Sequence, residues 1–235
     1  IPVIVDKDRI RGGRAAVNMH AADTVVLDDG FQQWRVKKDL EIVTIDAANP
    51  FGNGSVIPRG IMREPLSALK RADVIVLTNA DGTNGFSGLK ARISGINSGA
   101  IIVSARHKPA GFYKLGGPPD IKTGGIIPAG PVMLVSGIGN PGSFHRVIGS
   151  MGISVAKNFD FPDHHNYSER DLDDIESAAK ALRINTVITT EKDAGKLLAV
   201  KKTAAMGYIY VLGVSLEIID NEEQFLRRLF GLYTA

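Results

Sequence analysis

A chain of 235 residues with 44% hydrophobic and 23% charged residues has an ordinary globular composition, and its length suits one large domain or two small ones. With no cysteine it has neither a disulfide framework nor a thiolate metal site, and no apolar run approaches the roughly 20 residues of a membrane-spanning helix. The net charge of +3 favours an anionic partner but is too small to choose among a nucleotide, a lipid surface and a nucleic acid.

The chain opens at Ile1 without an initiator methionine or a signal-peptide pattern, directly in an apolar run, so further residues upstream are expected. Short β-branched runs, apolar on both faces, predict strands at Val3–Val5, Thr24–Leu27, Glu41–Asp46, Asp73–Thr78 and Ala100–Ser104. Helical patterns fall at 9–21 and 65–71. From 106 to 130 the pattern gives way to Gly- and Pro-rich sequence, including "LGGPPD" and "IPAGP", which reads as a linker. Beyond it, strands are predicted at Val132–Ser136, Ser154–Phe159, Thr186–Thr190 and Tyr208–Val214, with helices at 141–151, 168–182, 191–200 and 220–230. Ser168 with Asp171, and Asp220 with Glu223, look like N-terminal caps. Alternating β and α units imply an α/β fold with mainly parallel sheet, in two lobes: 1–105 and 131–235.

In such sheets ligands bind beyond the carboxyl ends of strands, which directs attention to four stretches. "TVVLDDGFQQW" ends an apolar run with Asp28 and Asp29. Adjacent carboxylates there suit a magnesium ion, and equally a polar turn leaving a strand. "NPFGNG" places Asn49, Gly52, Asn53 and Gly54 where turning backbone can offer N–H groups to an anion, and also where any tight loop would need them. It is followed by "PRGIMREP", in which Arg59 and Arg63 could hold phosphate oxygens and Glu64 precedes Pro65; a solvated helix entry is the plain alternative. "FPDHHNYSERDL" sets Asp163 beside His164 and His165 in a short loop, where a carboxylate can fix an imidazole for general acid–base work. In "TTEKDAGKL", Thr190 caps a helix, Glu191 and Asp193 favour its first turn, and Lys192 could assist an anion or simply face solvent.

Taken in order, "DDGFQ", "KDLEI", "NPFGNG", "REP", "GIGNP", "FPDHH.Y" and "TTEKDA" resemble the tetraacyldisaccharide 4′-kinases, and the resemblance runs from about Val3 to the C-terminus. It implies a P-loop NTPase-like core, here represented by residues 1–105 and incomplete at its N-terminus, joined to a smaller C-terminal α/β lobe. It also implies ATP-dependent phosphorylation of the 4′-hydroxyl of a glycolipid, the tetraacyldisaccharide 1-phosphate precursor of lipid A, with Mg2+. No nucleic acid partner is implied. Asp28 and Asp29 fall on the magnesium position, Glu64 with Arg63 on the "REP" element, and either His164 or His165 on the histidine that partners a catalytic aspartate. The family works peripherally at the cytoplasmic face of the bacterial inner membrane, through a segment upstream of the matching region. Its phosphate cradle is also upstream, and no G-x-x-x-x-G-K-[ST] occurs in these residues. This chain alone is therefore expected to be inactive. Two other readings remain open at this point: a truncated relative that only binds, and a DHH-type metal-dependent phosphoesterase, for which a late glycine-rich "GGGH"-like element is missing.

Overall fold

The computed structural model describes residues 1–80, 86–117 and 130–234. In chain order its elements are α1 (Arg9–His20), β1 (Ile42–Asp46), β2 (Val74–Thr78), α2 (Ser87–Ile96), β3 (Ile101–Lys114), β4 (Val132–Ser136), α3 (Pro141–Ser150), β5 (Val155–Asp160), α4 (Glu169–Leu182), β6 (Val187–Thr190), α5 (Glu191–Leu198), β7 (Ile209–Asp220) and α6 (Glu222–Phe230). They group into two compact units, Ile1–Ala105 with Ile218–Ala235, and Arg106–Glu217. The C-terminal residues from Ile218, read from sequence as part of the second lobe, belong to the first unit.

In the first unit β1, β2 and the start of β3 pair in parallel, with Ile42 opposite Val74 and Val74 opposite Ile101. The two-faced apolar run of β2 is explained by cover on both sides. Ile75 and Leu77 pack with Ile45, Phe51, Leu69 and Ile93, whereas Val74 and Val76 pack with Val103, Ala105, Ile218 and Phe225. Helix α1 is capped by Asp8, whose carboxylate accepts the Ile10 and Arg11 N–H groups. Helix α2 was not anticipated; Ile93 is its one buried residue and two glycines lie inside it, so it has almost no apolar stripe to read.

Two expected strands are absent. Val3–Val5 and Thr24–Leu27 form no ladder among the described residues, and Val26 is 90% exposed. A strand exists only with a neighbour to take its N–H and C=O groups, and apolar content alone does not supply one. The predicted helix at 65–71 is a 3-10 segment, Leu66–Arg71, entered through Pro65 without a side-chain cap. The proposed cap of α6 is also different. Asp220 pairs with Lys90, and Asn221 precedes the helix in the left-handed region with no capping hydrogen bond.

In the second unit the strand order is β3-β7-β6-β4-β5, and β7, β6, β4 and β5 pair in parallel. Residues 106–114, expected to open a linker, continue β3: Arg106 and Lys108 pair with Glu217, Leu115 N–H reaches Ile209 O at 3.0 Å, and Phe112 is buried. The remainder of that stretch, 118–129, lies outside the described residues. One face of the sheet is covered by α3, through Phe144 and Ile148 against Leu134, Ile188 and Leu212. The other is covered by α4 and α5, through Leu172, Ile175, Ala179 and Leu197 against Met133, Val135, Val187 and Ile209. The chain therefore leaves β4 toward one face and adjacent β6 toward the other. That divergence makes their carboxyl ends the switch point at which such sheets place ligands.

Candidate functional site

The residues singled out from sequence fall into two groups, one in each unit. In the first unit the "DDG" turn meets the "REP" segment. Asp29 sits in the left-handed region (φ +53°), which Asp tolerates because its short side chain can bond locally. Arg63 Nη1 donates to both of its carboxylate oxygens at 2.7 and 2.5 Å. Glu64 accepts from Gln32 Nε2 at 2.9 Å and from Arg71 Nη2 at 3.0 and 2.9 Å. The Arg71 guanidinium lies over the Phe31 ring at 4.4 Å and reaches the Trp34 ring at 5.6 Å. The sequence "DDGFQQW" thus folds around two arginines, and cation–π contact holds the second in place. Asp28 is exposed and has no hydrogen-bond partner among the described residues.

The "NPFGNG" loop folds on itself. Gly52 and Gly54 occupy φ +54° and +76°, Asn53 Nδ2 donates to Arg59 O at 2.7 Å, and its Oδ1 accepts the Ser55 N–H. A Cβ on Gly60 would meet Ser55 O at 2.1 Å, so the loop closes only around a glycine. The Asn53 side chain is thereby committed to its own loop. The Gly52 and Asn53 N–H groups have no carbonyl partner among the described residues, and the Asn49 side chain is exposed. Sequence reasoning did not single out Asp46 at the end of β1, which accepts from Asn79 Nδ2 at 3.0 Å and from Ala48 N at 2.9 Å.

In the second unit the Gly137–Asn140 loop, the Asp163–His165 turn and the start of α5 come together at the carboxyl ends of β4 and β6. Asn140 caps α3 by accepting the Ser143 N–H, with Pro141 at the first helical position. His164 has φ +61°; its N–H points to Gly137 O at 3.2 Å and Asp163 Oδ1 at 3.0 Å. Lys192 Nζ lies 2.9 Å from Asp163 Oδ1. The ammonium first, and His164 after it, holds the Asp163 carboxyl below the usual carboxylate range.

The two histidines are not equivalent. His165 Nε2 bonds Asp171 Oδ2 at 3.1 Å, its ring stacks on Phe161 with centroids 4.4 Å apart, and the edge of Tyr167 closes the other side at 5.1 Å. Asp171 also completes a capping box with Ser168. Burial works against the Asp171 carboxylate, but the Ser168 and His165 hydrogen bonds prevail and lower its pKa. His164 has 74% of its side chain exposed, and its Nε2 stands 3.7 Å from Asp163 Oδ2. An exposed imidazole beside an anionic carboxylate can exchange a proton with an incoming group, whereas His165 is already committed.

Asp193, read as a residue that merely favours the first turn of α5, is fully buried. Its Oδ2 accepts the Gly137 N–H at 3.0 Å and the Thr190 hydroxyl at 2.7 Å. Tyr167, whose hydroxyl is buried, is pushed up in pKa by burial first and by the Asp193 carboxylate after it. Both residues belong to motifs quoted from the sequence, "FPDHH.Y" and "TTEKDA", but only three-dimensional contacts show that they are buried against each other's segments.

The family model for tetraacyldisaccharide-1-P 4′-kinase matches residues 1–232. A tetraacyldisaccharide 4′-kinase from Halothermothrix orenii is 35% identical over 232 residues, covering 93% of this chain and 60% of that protein. One from Syntrophus aciditrophicus is 35% identical over 213 residues, covering 87% and 56%. The chain thus spans about 60% of the length of the curated relatives it matches. The fold is similar to the crystal structure of LpxK from Aquifex aeolicus in complex with ATP, with a TM-score of 0.65 and 23% identity, covering 97% of this chain and 64% of that one.

Proposed function

The chain belongs to the tetraacyldisaccharide-1-P 4′-kinase family, and from that premise we propose that it forms part of an enzyme moving the γ-phosphoryl group of ATP to the 4′-hydroxyl of tetraacyldisaccharide 1-phosphate. The observation that carries this reading is the junction of "DDG" with "REP": Arg63 on Asp29, and Gln32 on Glu64, across 34 and 32 residues of sequence. A nucleotide site needs such convergence of charge. The phosphate-cradling glycine loop and a peripheral anchor to the cytoplasmic face of the inner membrane would come from sequence beyond these residues. No helix among the described residues is long and apolar enough to cross a membrane.

Magnesium fits Asp28 and Asp29 by donor chemistry. Magnesium takes one or two carboxylates and completes its shell with water and phosphate oxygens, so two adjacent exposed carboxylates suffice. The match to the kinase family over residues 1–232 is what disfavours the phosphoesterase reading. The Arg63–Asp29 pair is more than half exposed and exchangeable. When bound, the ion offsets the charge of the β- and γ-phosphates. The chain's own residues then have these roles. Arg63 and Glu64 hold the turn that bears Asp28 and Asp29, and the free N–H groups of Gly52 and Asn53, beside Asn49 and Gly54, face nucleotide phosphate. His164, steadied by Asp163, takes part in withdrawing the proton from the attacking 4′-hydroxyl, and His165 supports the turn.

The test is transfer of label from γ-labelled ATP to tetraacyldisaccharide 1-phosphate by the complete protein with magnesium. Label in the lipid supports the proposal. A folded protein that binds ATP and transfers nothing overturns it in favour of a binding role.

A further inference from the structure

We infer that the first turn of α5 is the positioning element for the His164 imidazole: Lys192 grips Asp163 from the outside, and Asp193 grips the N–H of Gly137, the residue whose carbonyl receives the His164 N–H. This deepens the kinase reading and rests on it.

The outer grip is Lys192 Nζ to Asp163 Oδ1 at 2.9 Å. With Oδ1 held by the ammonium and by the His164 N–H, Oδ2 is the oxygen left turned toward the imidazole, at 3.7 Å from Nε2. The only ionisable groups within ion-pair distance of Asp163 among the described residues are Lys192 on α5 and His164 on its own turn. The inner grip is buried. One oxygen of Asp193 takes the Gly137 N–H and the Thr190 hydroxyl, and the Gly137 carbonyl takes the His164 N–H at 3.2 Å. The other oxygen and the Tyr167 hydroxyl both lie 3.2 Å from where a Gly137 Cβ would stand, and, after burial, the carboxylate helps to raise the Tyr167 pKa. A carboxylate buried this fully is expensive for a helix cap, since Asn or Ser would satisfy the Gly137 and Thr190 groups without a charge. Its place is accounted for if it fixes three segments at once: the exit of β4, the Asp163–His165 turn through Tyr167, and the start of α5.

Positioning predicts a loss in turnover rather than in binding, because a misplaced base acts on the reacting hydroxyl and not on ATP. In the complete enzyme, Lys192→Met should lower kcat on the order of 10-fold with the KM for ATP unchanged, and Lys192→Arg should restore most of it. Asp193→Ala should lower kcat about 100-fold, while Asp193→Asn, which keeps an acceptor for Gly137, should recover at least about 10-fold of that. A second readout needs no activity. In carbon-detected NMR of the 235-residue chain, Lys192→Met should move the Asp163 carboxyl titration upward, toward the usual range, and Asp193→Ala should broaden the amides of residues 163–165. Both sets of changes together support the inference. Variants that alter the NMR spectra as described but keep wild-type kcat overturn it while leaving the kinase reading intact. An unchanged Asp163 titration in Lys192→Met overturns the outer grip whatever the kinetics show. Absence of transfer by the unaltered enzyme removes the kinase reading, and the positioning role falls with it, although the NMR arm still reports whether the grips exist.

Discussion

Gly137 is the position where a single methyl group tests the packing of the second unit most directly. A Cβ there would stand 3.2 Å from Asp193 Oδ1, His165 Cβ and the Tyr167 hydroxyl. None of the three can swing aside. Asp193 is held by the Gly137 N–H and Thr190, His165 is stacked on Phe161 and bonded to Asp171, and Tyr167 is 8% exposed. The peptide at the exit of β4 must therefore yield by a few tenths of an ångström, which lengthens its bond to Asp193. Overpacking of this kind costs about 1–3 kcal/mol, and a weakened hydrogen bond to a charged group adds to it, so Gly137→Ala should destabilise by about 2 kcal/mol. Gly195, inside α5, is the internal control. Nothing lies within 4 Å of its added Cβ and its backbone is helical, so Gly195→Ala should stabilise by roughly 0.5–1 kcal/mol through helix propensity. Equilibrium urea unfolding of the 235-residue chain, followed by far-UV circular dichroism, measures both. The reasoning is refuted if Gly137→Ala unfolds at the wild-type midpoint with an unchanged slope, or if the two glycines shift the midpoint in the same direction.

His164→Ala should leave stability within about 0.5 kcal/mol of wild type but abolish most label transfer, whereas His165→Ala should lose about 1 kcal/mol with its aromatic stack and retain more activity; thermal melts beside the transfer assay separate the two. Because Asp171 has a lowered pKa in the folded chain, it contributes stability above the ordinary carboxylate pKa, and that contribution is lost as pH falls through the folded value. Asp171→Asn should accordingly be less stable at neutral pH and flatter in its acid dependence below about pH 4, seen in melting curves across pH. Arg183 ends α4 in the left-handed region at φ +54°, so Arg183→Gly should raise stability by up to about 1 kcal/mol in urea. Asp28→Ala or Asp29→Ala in the complete enzyme should reduce transfer chiefly at limiting magnesium, and unchanged transfer in a magnesium titration would exclude the metal role.

What could be read from the sequence, and what could not, follows the range of the interactions involved. β2, β4 and β6 are legible because both faces are buried, so residue type alone marks them. Helix α4 is legible because its cap and its stripe of Leu172, Ile175 and Ala179 are local. Thr24–Leu27 has the same residue types, yet no strand forms there, because pairing depends on a neighbour that residue type does not specify. The far half of β3 was missed for the opposite reason: "RHKPAGFYK" reads as polar and broken, but Glu217 pairs with Arg106 and Lys108 across more than 100 residues. The site shows the same division. Its segments were recognisable one by one, since turns, caps and Asp–His adjacency are short-range features. The wiring between them runs through Lys192 to Asp163 across 29 residues and Asp193 to Gly137 across 56. A carboxylate three residues into a helix looks the same in sequence whether it faces water or lies buried against a glycine. The distinction between His164 and His165, identical neighbours in the chain, comes from the Phe161 stack, the Tyr167 edge and the Asp171 hydrogen bond, all of which hold only the second. A left-handed residue at His164 reverses the chain between them. That one backbone torsion sends the two rings to different environments, one packed into the fold and the other presented to solvent beside Asp163.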